Sequence, residues 1–247
     1  MTNQPIRSEL RDGVAIAHLD DGKANAFSHE VISALGGHLD RFGAEAAESG
    51  VKAILLAGRP GVLSGGFDLK VMGAGSNQVH GLVAAGAELF CRFLEFPLPI
   101  VVAATGHAVA AGAIMLLAAD ARLGAAGKFR IGLSEVAIGM TLPHFAAALA
   151  RNRLSKRHYL RATAQAELYS PEEAVDAGYL DRVVPAEEIL DHALSEARGL
   201  GELPQPAFGN TKRRAHEALV ADVRGSLDAD LQALTGSSGI GPDHAAK

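Results

Sequence analysis

Runs of alternating apolar residues and runs with helical spacing divide this chain into strands and helices. Gly13 to Leu19 (GVAIAHL) alternates and predicts a strand. Val51 to Ala57 (VKAILLA) predicts a second, more buried one. Between them Ser28 is placed to cap a helix reaching about Glu48, with Val31, Ile32, Leu35 and Leu39 on one face. GRPGVLSGGFDLK reads as a Gly-rich loop entering another helical region, and Gly73 to Asn77 as a flexible polar stretch. A helix follows from about Gln78 to Glu95, with Leu82, Leu89, Phe90 and Phe93 as core positions. Phe96-Pro97-Leu98-Pro99 stops it, because proline cannot continue the helical ladder.

The stretch from Pro99 to Pro143 organises the rest. It reads as a buried strand, a small-residue turn, an apolar helix and a second strand. A short loop then carries one carboxylate, Glu135, between apolar neighbours. His144 to Arg153 and Lys156 to Ala164 read as two short helices. Ser170-Pro171-Glu172-Glu173 has the residues of a capping box with proline at the first helical position. Gly178 ends that helix, and Tyr179 to Val184 is a short strand or edge. Two helices close the chain, about Ala186 to Gly199 and Pro206 to Leu234. The tail GSSGIGPDHAAK is expected to be disordered. Strands alternating with helices predict an α/β layered fold. Residues 1–199 are expected to form the core with the active site, 200–235 a helical packing or oligomerisation segment, and 236–247 the tail.

Composition narrows the function. With 247 residues, 48% hydrophobic and 21% charged, the chain has enough apolar content for a sizeable core. The net charge is -5 with acids and bases mixed, and no basic stripe argues for nucleic acid. Cys91 is the sole cysteine, so neither an internal disulfide nor a cysteine-based metal cluster can form; its simplest role is a small core residue. The first ten residues lack the apolar core of a signal peptide, and no apolar run reaches spanning length. A cytoplasmic, reducing compartment without membrane attachment is expected. His, Asp and Glu show no ligand-like cluster, so no metal is expected.

Three stretches carry candidate chemistry. Leu63 to Lys70 (LSGGFDLK) has glycines that permit a strained turn with free N–H groups. Gly106 to Ala113 (GHAVAAGA) puts small residues between a strand and a helix N-terminus, where unpaired N–H groups favour developing negative charge. Ile131 to Gly139 (IGLSEVAIG) carries Glu135, which is either a paired structural acid or a tuned base. Each has a purely structural reading as a turn, a tight packing contact or a satisfied carboxylate.

Their order along the chain resembles the crotonase superfamily, the enoyl-CoA hydratases and isomerases. LSGGFDLKVM is similar to that family's first oxyanion-hole loop, S-A-G-x-D-L-x-x-M. GHAVAAGAIMLLAAD is similar to the second, N-G-x-A-x-G-G-G-x-x-L-A-x-x-x-D. The resemblance runs from GVAIAHLDDGKANAFS into the C-terminal helices. It implies a spiral of β-β-α turns with a C-terminal helical trimerisation segment, and a homotrimer or dimer of trimers. It implies an acyl-CoA substrate, with no cofactor beyond the coenzyme A that the substrate carries. By resemblance, the main-chain N–H groups of Phe67 and Ala111 are the oxyanion donors. Lys23, Ala24, Ala26, Ser64, Gly66 and Leu69 match the coenzyme A-contacting loops, and Ile114 and Ser134 are further expected substrate-binding positions. Asp68 braces its loop as an Asx-turn former.

The departures select the chemistry. Hydratases of this family use two glutamates, and the first falls here on Ile114, which can neither hold nor activate water. The second falls on Glu135. RPGVLSGGFDL and FRIGLSEVAIGM are similar to the mitochondrial-type enoyl-CoA isomerases, with Ser134 replacing the Asn of I-G-L-N-E. The hydratase run I-P-G-A-G-G-T is replaced by Met140-Thr141-Leu142-Pro143-His144-Phe145. An isomerase with Glu135 as sole acid–base group is the leading expectation. Alternatives are a hydratase using His107 or His144 to hold water, another crotonase reaction such as decarboxylation or thioester hydrolysis, and a non-catalytic acyl-CoA-binding protein. Lys212, Arg213 and Arg214 read as a solvated helix face, with neutralisation of coenzyme A phosphates as the other reading.

Overall fold

A computed structural model of the chain describes residues 5–73 and 76–236. The chain opens with a hairpin, β1 (Ile6–Arg11) and β2 (Val14–Leu19), followed by α1 (His29–Glu48). Next come β3 (Ala53–Ala57), β4 (Gly61–Ser64), α2 (Leu69–Met72) and α3 (Ser76–Glu95). Then follow β5 (Ile100–Ala104), β6 (Gly106–Val109), α4 (Ala111–Ala118), β7 (Ala121–Ala125) and β8 (Ile131–Gly132). A 3-10 turn, Val136–Ile138, leads to α5 (His144–Arg153), α6 (Tyr159–Ala162) and α7 (Pro171–Ala177). The chain ends with β9 (Arg182–Val184), a second 3-10 turn at Ala186–Glu188, α8 (Ile189–Gly201) and α9 (Gln205–Gly236).

The strands form two sheets. The larger has the order β1-β2-β3-β5-β7-β9, and the smaller β4-β6-β8. Among the described residues only the β1–β2 strand pair is antiparallel. Each β-β-α turn of the chain gives one strand to each sheet and then a helix: β3-β4-α3, β5-β6-α4, β7-β8-α5. This is the spiral that the family resemblance implies.

The larger sheet is covered on both faces, as a parallel sheet requires. Ile54, Leu56, Ile100 and Val102 join the main core with α1, α3, α4 and α5. Leu55, Val101 and Leu123 meet Ile189, Ala193, Leu194 and Ala197 of α8 on the other face. Ser28 caps α1 by accepting from Val31 N, and the Ser170–Glu173 capping box starts α7. α9 packs back on α3 and α5 of its own chain. There Arg224 forks to Glu88 and Glu95, at 2.7 and 2.8 Å.

Several expectations need correction. β1 is absent from the sequence reading, although Asp12 and Gly13, both at positive φ (51° and 76°), form the hairpin turn. The loop ascribed to GRPGVLSGGFDLK contains β4, the small-residue turn after β5 contains β6, and the loop before Glu135 contains β8. α3 begins at Ser76, inside the stretch read as flexible, and residues 74 and 75 of that stretch lie outside the described residues. The helix expected over Lys156 to Ala164 shrinks to α6. Of the tail, Gly236 closes α9 and 237–247 lie outside the described residues. Lys212 is buried rather than on a solvated face: its ammonium contacts Asp120 Oδ2 at 2.5 Å, whereas Arg213 and Arg214 are exposed. Among the described residues no helix is long and apolar enough to cross a membrane.

Candidate active site

The smaller sheet positions the site. Its three strands are parallel, so the segments leaving β4, β6 and β8 emerge at one end, where ligands collect in parallel α/β sheets. Those segments are Gly65-Gly66-Phe67, Ala110-Ala111 and Leu133-Ser134-Glu135, so all three candidate stretches meet.

The first turn is held from behind by the loop before α1. Asn25, buried and at φ 49°, donates through its amide to Leu19 O and Leu63 O, and its Oδ1 accepts from Asp21 N. Gly65 N donates to Ala24 O at 2.8 Å, and the Arg59 guanidinium to Lys23 O at 2.9 Å. Lys23, Ala24 and Ala26 therefore lie against the turn that carries Ser64, Gly66 and Leu69. The buried Ser64 hydroxyl accepts from Gly66 N at 3.2 Å. Asp68 caps α2 by accepting from Lys70 N, as expected of an Asx former. Leu69 is 62% exposed and Lys23 is exposed, both at the outer lip.

Phe67 forms a parallel bridge with Phe27, in which Phe27 N donates to Gly66 O and Asp68 N to Phe27 O. That pattern points Phe67's own N–H away from Phe27. Gly66 sits at φ 106°, and a Cβ on it would lie 2.8 Å from Ala110 Cβ and 3.6 Å from Ala111 N. Only glycine brings the two turns this close. Gly112 does the same one residue into α4, where a Cβ would meet Ser64 O at 2.6 Å. Ala110, at φ 50° and ψ -119°, precedes α4 and makes no side-chain cap. Ala111 N is thus a helix N-terminal donor with no i−4 carbonyl to bond. Two main-chain donors, on Phe67 and Ala111, stand on adjacent strand ends.

Ala110 N donates to Gly132 O at 2.9 Å, which ties the second donor turn to the acid-bearing segment. Glu135 begins the 3-10 turn and is only 7% exposed. Its Oε2 has no hydrogen-bond partner among the described residues. Burial pushes its carboxyl up from 4.5 to about 7, and hydrogen bonds from the main chain of Glu135 and Ser134 pull it partly back. A carboxyl near 7 suits proton exchange at neutral pH. Ser134 is half-buried beside it. Ile114 is 1% exposed on α4, one turn beyond Ala111 and on the same helix face. No carboxylate occupies that place.

The two histidines considered as water-holders have partners of their own. His107 is exposed on β6 and its Nδ1 accepts from Arg130 N; His144 Nε2 is 3.3 Å from Asp222. Cys91 is buried in the core, where burial and the charge of Glu88 push its thiol up to about 12. Sequence reading missed Asn25, although an Asx residue inside DDGKANAF was the available signal. It also missed Asp230 of α9, which accepts from His144 N at 2.6 Å and Phe145 N at 3.2 Å. Asp230 caps α5 from 86 residues away, so no local pattern marked it.

Comparison with known proteins places this geometry. The family model described as enoyl-CoA hydratase/isomerase matches residues 9–237. The human protein named enoyl-CoA delta isomerase 1, mitochondrial, is 31% identical over 92% of this chain and 75% of its own. A crystal structure of an enoyl-CoA hydratase/isomerase family protein from Pseudomonas syringae superposes with a TM-score of 0.89 at 42% identity, covering 93% of this chain and 98% of that one. A crystal structure titled as an enoyl-CoA hydratase from Mycobacterium marinum superposes at 0.85 with 34% identity, over 93% and 98%.

Proposed function

The chain belongs to the enoyl-CoA hydratase/isomerase family, and from that premise we propose that it isomerises 3-enoyl-CoA to 2-enoyl-CoA with Glu135 as its single acid–base group. The observation that carries this reading is the pairing of a lone buried acid with an apolar residue. Glu135 has a carboxyl raised to about 7, and Ile114 stands where a hydratase needs its first glutamate. Asp68, the other acid beside the donors, is committed to capping α2.

The Glu135 carboxylate takes a proton from C2 of the 3-enoyl thioester. The electron pair moves onto the thioester oxygen, which accepts from Phe67 N–H and Ala111 N–H. The resulting dienolate collapses, Glu135 returns the proton to C4, and the double bond comes to lie between C2 and C3. Atoms and charge balance with no added water and no cofactor. One well-placed donor is worth about 2.7–4 kcal/mol in such a transition state, and a positioned base about 10²–10⁴-fold. Lys23, Ala24, Ala26, Ser64, Gly66 and Leu69 border the acyl-CoA in this reading, with Ile114 and Ser134 near the reacting carbons.

Hydratase-named relatives at similar identity support hydration as a second reading. Both activities are measured on wild type and Glu135→Gln, together with acyl-CoA binding. Isomerisation that Glu135→Gln abolishes while binding persists supports the proposal. Comparable hydration by wild type, or unchanged turnover in the variant, refutes it. Binding without either activity points to an acyl-CoA-binding protein. Assembly as a trimer or a dimer of trimers belongs to the same reading and is checked by sedimentation equilibrium.

A further inference from the structure

We propose that Gly86, on α3 and remote in sequence from both donor loops, is a positioning residue: it is the socket that seats the Phe67 ring and so aims the Phe67 N–H. A Cβ on Gly86 would lie 2.6 Å from Phe67 Cε1 and 2.7 Å from Cζ, well inside contact. The ring rests directly on the helix backbone. The ring also meets Phe27 edge-on at 6.3 Å between centroids, and Phe27, fully buried, leans on Phe90 of α3 at 5.8 Å. The ring is held by contacts with both a helix and a packed aromatic.

The same two elements hold the main chain. Phe27 N bonds Gly66 O at 2.8 Å and Phe27 O receives Asp68 N at 3.2 Å, so Phe67 is pinned on both sides. Gly66 is pressed against Ala110, and Asp68 is engaged as the cap of α2. A ring lifted off α3 has little freedom to swing alone, and its displacement passes into the peptide that carries the N–H. Glycine inside a helix costs about 1 kcal/mol against alanine. A Gly86→Ala change that acted only on the helix would therefore be neutral or stabilising. Acting through the ring, it misaims an oxyanion donor.

The inference rests on the oxyanion role proposed for Phe67 N–H, so its test includes a readout independent of turnover. Wild type, Gly86→Ala, Phe67→Leu and the double variant are compared for folding by circular dichroism and for isomerase kcat and KM. The Raman stretch of a bound 2-enoyl-CoA thioester carbonyl, which reports hydrogen bonding to that oxygen, is measured on all four. Loss of a whole donor costs about 10²–10³ in kcat, so partial misaiming in folded Gly86→Ala is expected to cost about 10-fold or more in kcat. KM should change less, and the carbonyl red-shift should shrink. The shorter leucine vacates the space the new methyl needs, so the double variant recovers kcat and red-shift relative to Gly86→Ala. A folded Gly86→Ala with kcat within about 3-fold of wild type overturns the inference, as does a double variant no better than Gly86→Ala. A wild type that does not isomerise yet red-shifts the bound carbonyl counts against the proposed reaction alone, and the carbonyl series then decides the role of Gly86.

Discussion

Replacing Glu135 by Gln should stabilise the fold, and by an amount that grows with pH. The carboxyl is buried and its Oε2 lacks a partner, so its charged form is disfavoured in the folded chain. Its folded-state pKa is about 7 against an ordinary value of 4.5. Between those values the folded state holds a proton that the unfolded state has released. Stability therefore falls as pH rises through that window, at about 1.4 kcal/mol per pH unit. Above the window the ionised acid costs about 3 kcal/mol, and below it nothing. Gln has the same shape and never ionises. The stability difference between Glu135→Gln and wild type should widen by about 2–3 kcal/mol from pH 5 to pH 8.5. Urea unfolding of both proteins at the two pH values, at one protein concentration, measures it, and other titrating groups cancel in the difference. Wild-type kcat/KM should rise through about pH 7 as the base ionises. A difference that stays constant with pH, or narrows, refutes the reasoning, because Glu135 would then be ionised and compensated.

The other predictions concern how the site is held. Lys212→Met leaves Asp120, whose side chain is 13% exposed, without the buried cation that it pairs with and should cost about 3–5 kcal/mol by urea unfolding; a loss below about 1 kcal/mol would show the pair to be dispensable. Asp230→Ala removes the acceptor for His144 N and Phe145 N, and should cost about 1–3 kcal/mol and speed hydrogen exchange in the first turn of α5; unchanged exchange would contradict the capping role. Ala110→Gly should raise stability by about 1 kcal/mol, since a non-glycine residue at φ 50°, ψ -119° stores about 1–3 kcal/mol of strain and glycine loses back about 0.5–1. Calorimetry that shows Ala110→Gly less stable than wild type would remove the strain argument.

Much of the larger sheet was legible because its signal is local. AILLA and IVVAA are apolar throughout, as strands covered on both faces must be, and Ser28 and Ser170 carry their caps within one turn. β1 was not legible by burial: of IRSELR only Ile6 is buried, and the overlooked cue was the Asp12-Gly13 turn. β4, β6 and β8 span two to four residues each and exist through pairing across the chain. Their partners, Gly61 with Gly106 and Ala108 with Ile131, are separated by whole helices, so no window along the sequence contains the pair. The same distance hid the charge that buries Lys212. The three active-site stretches could be named from their residues and family resemblance, but their convergence depends on the smaller sheet.

The site divides its labour between main chain and side chain. In the proposed mechanism both donors are backbone N–H groups, fixed by a bridge to Phe27 and by the entry to α4, so side chains there answer mainly to sterics. Proton transfer needs a side chain, and a side chain is held only as firmly as its segment. Glu135 lies between two anchors. Before it, Ile131 exchanges hydrogen bonds with Tyr169 at 3.0 and 2.9 Å, and Gly132 O receives Ala110 N. After it, the Asp230 carboxylate fixes the start of α5. The intervening residues bear a buried acid whose Oε2 has no partner among the described residues, so the rigidity at both ends helps to hold it in place. In that reading the reaction type turns on whether a second carboxylate joins that acid. In the proposed mechanism, an apolar residue at position 114 leaves the fold and both donors in place while removing the second carboxylate, which would let one scaffold separate double-bond migration from hydration.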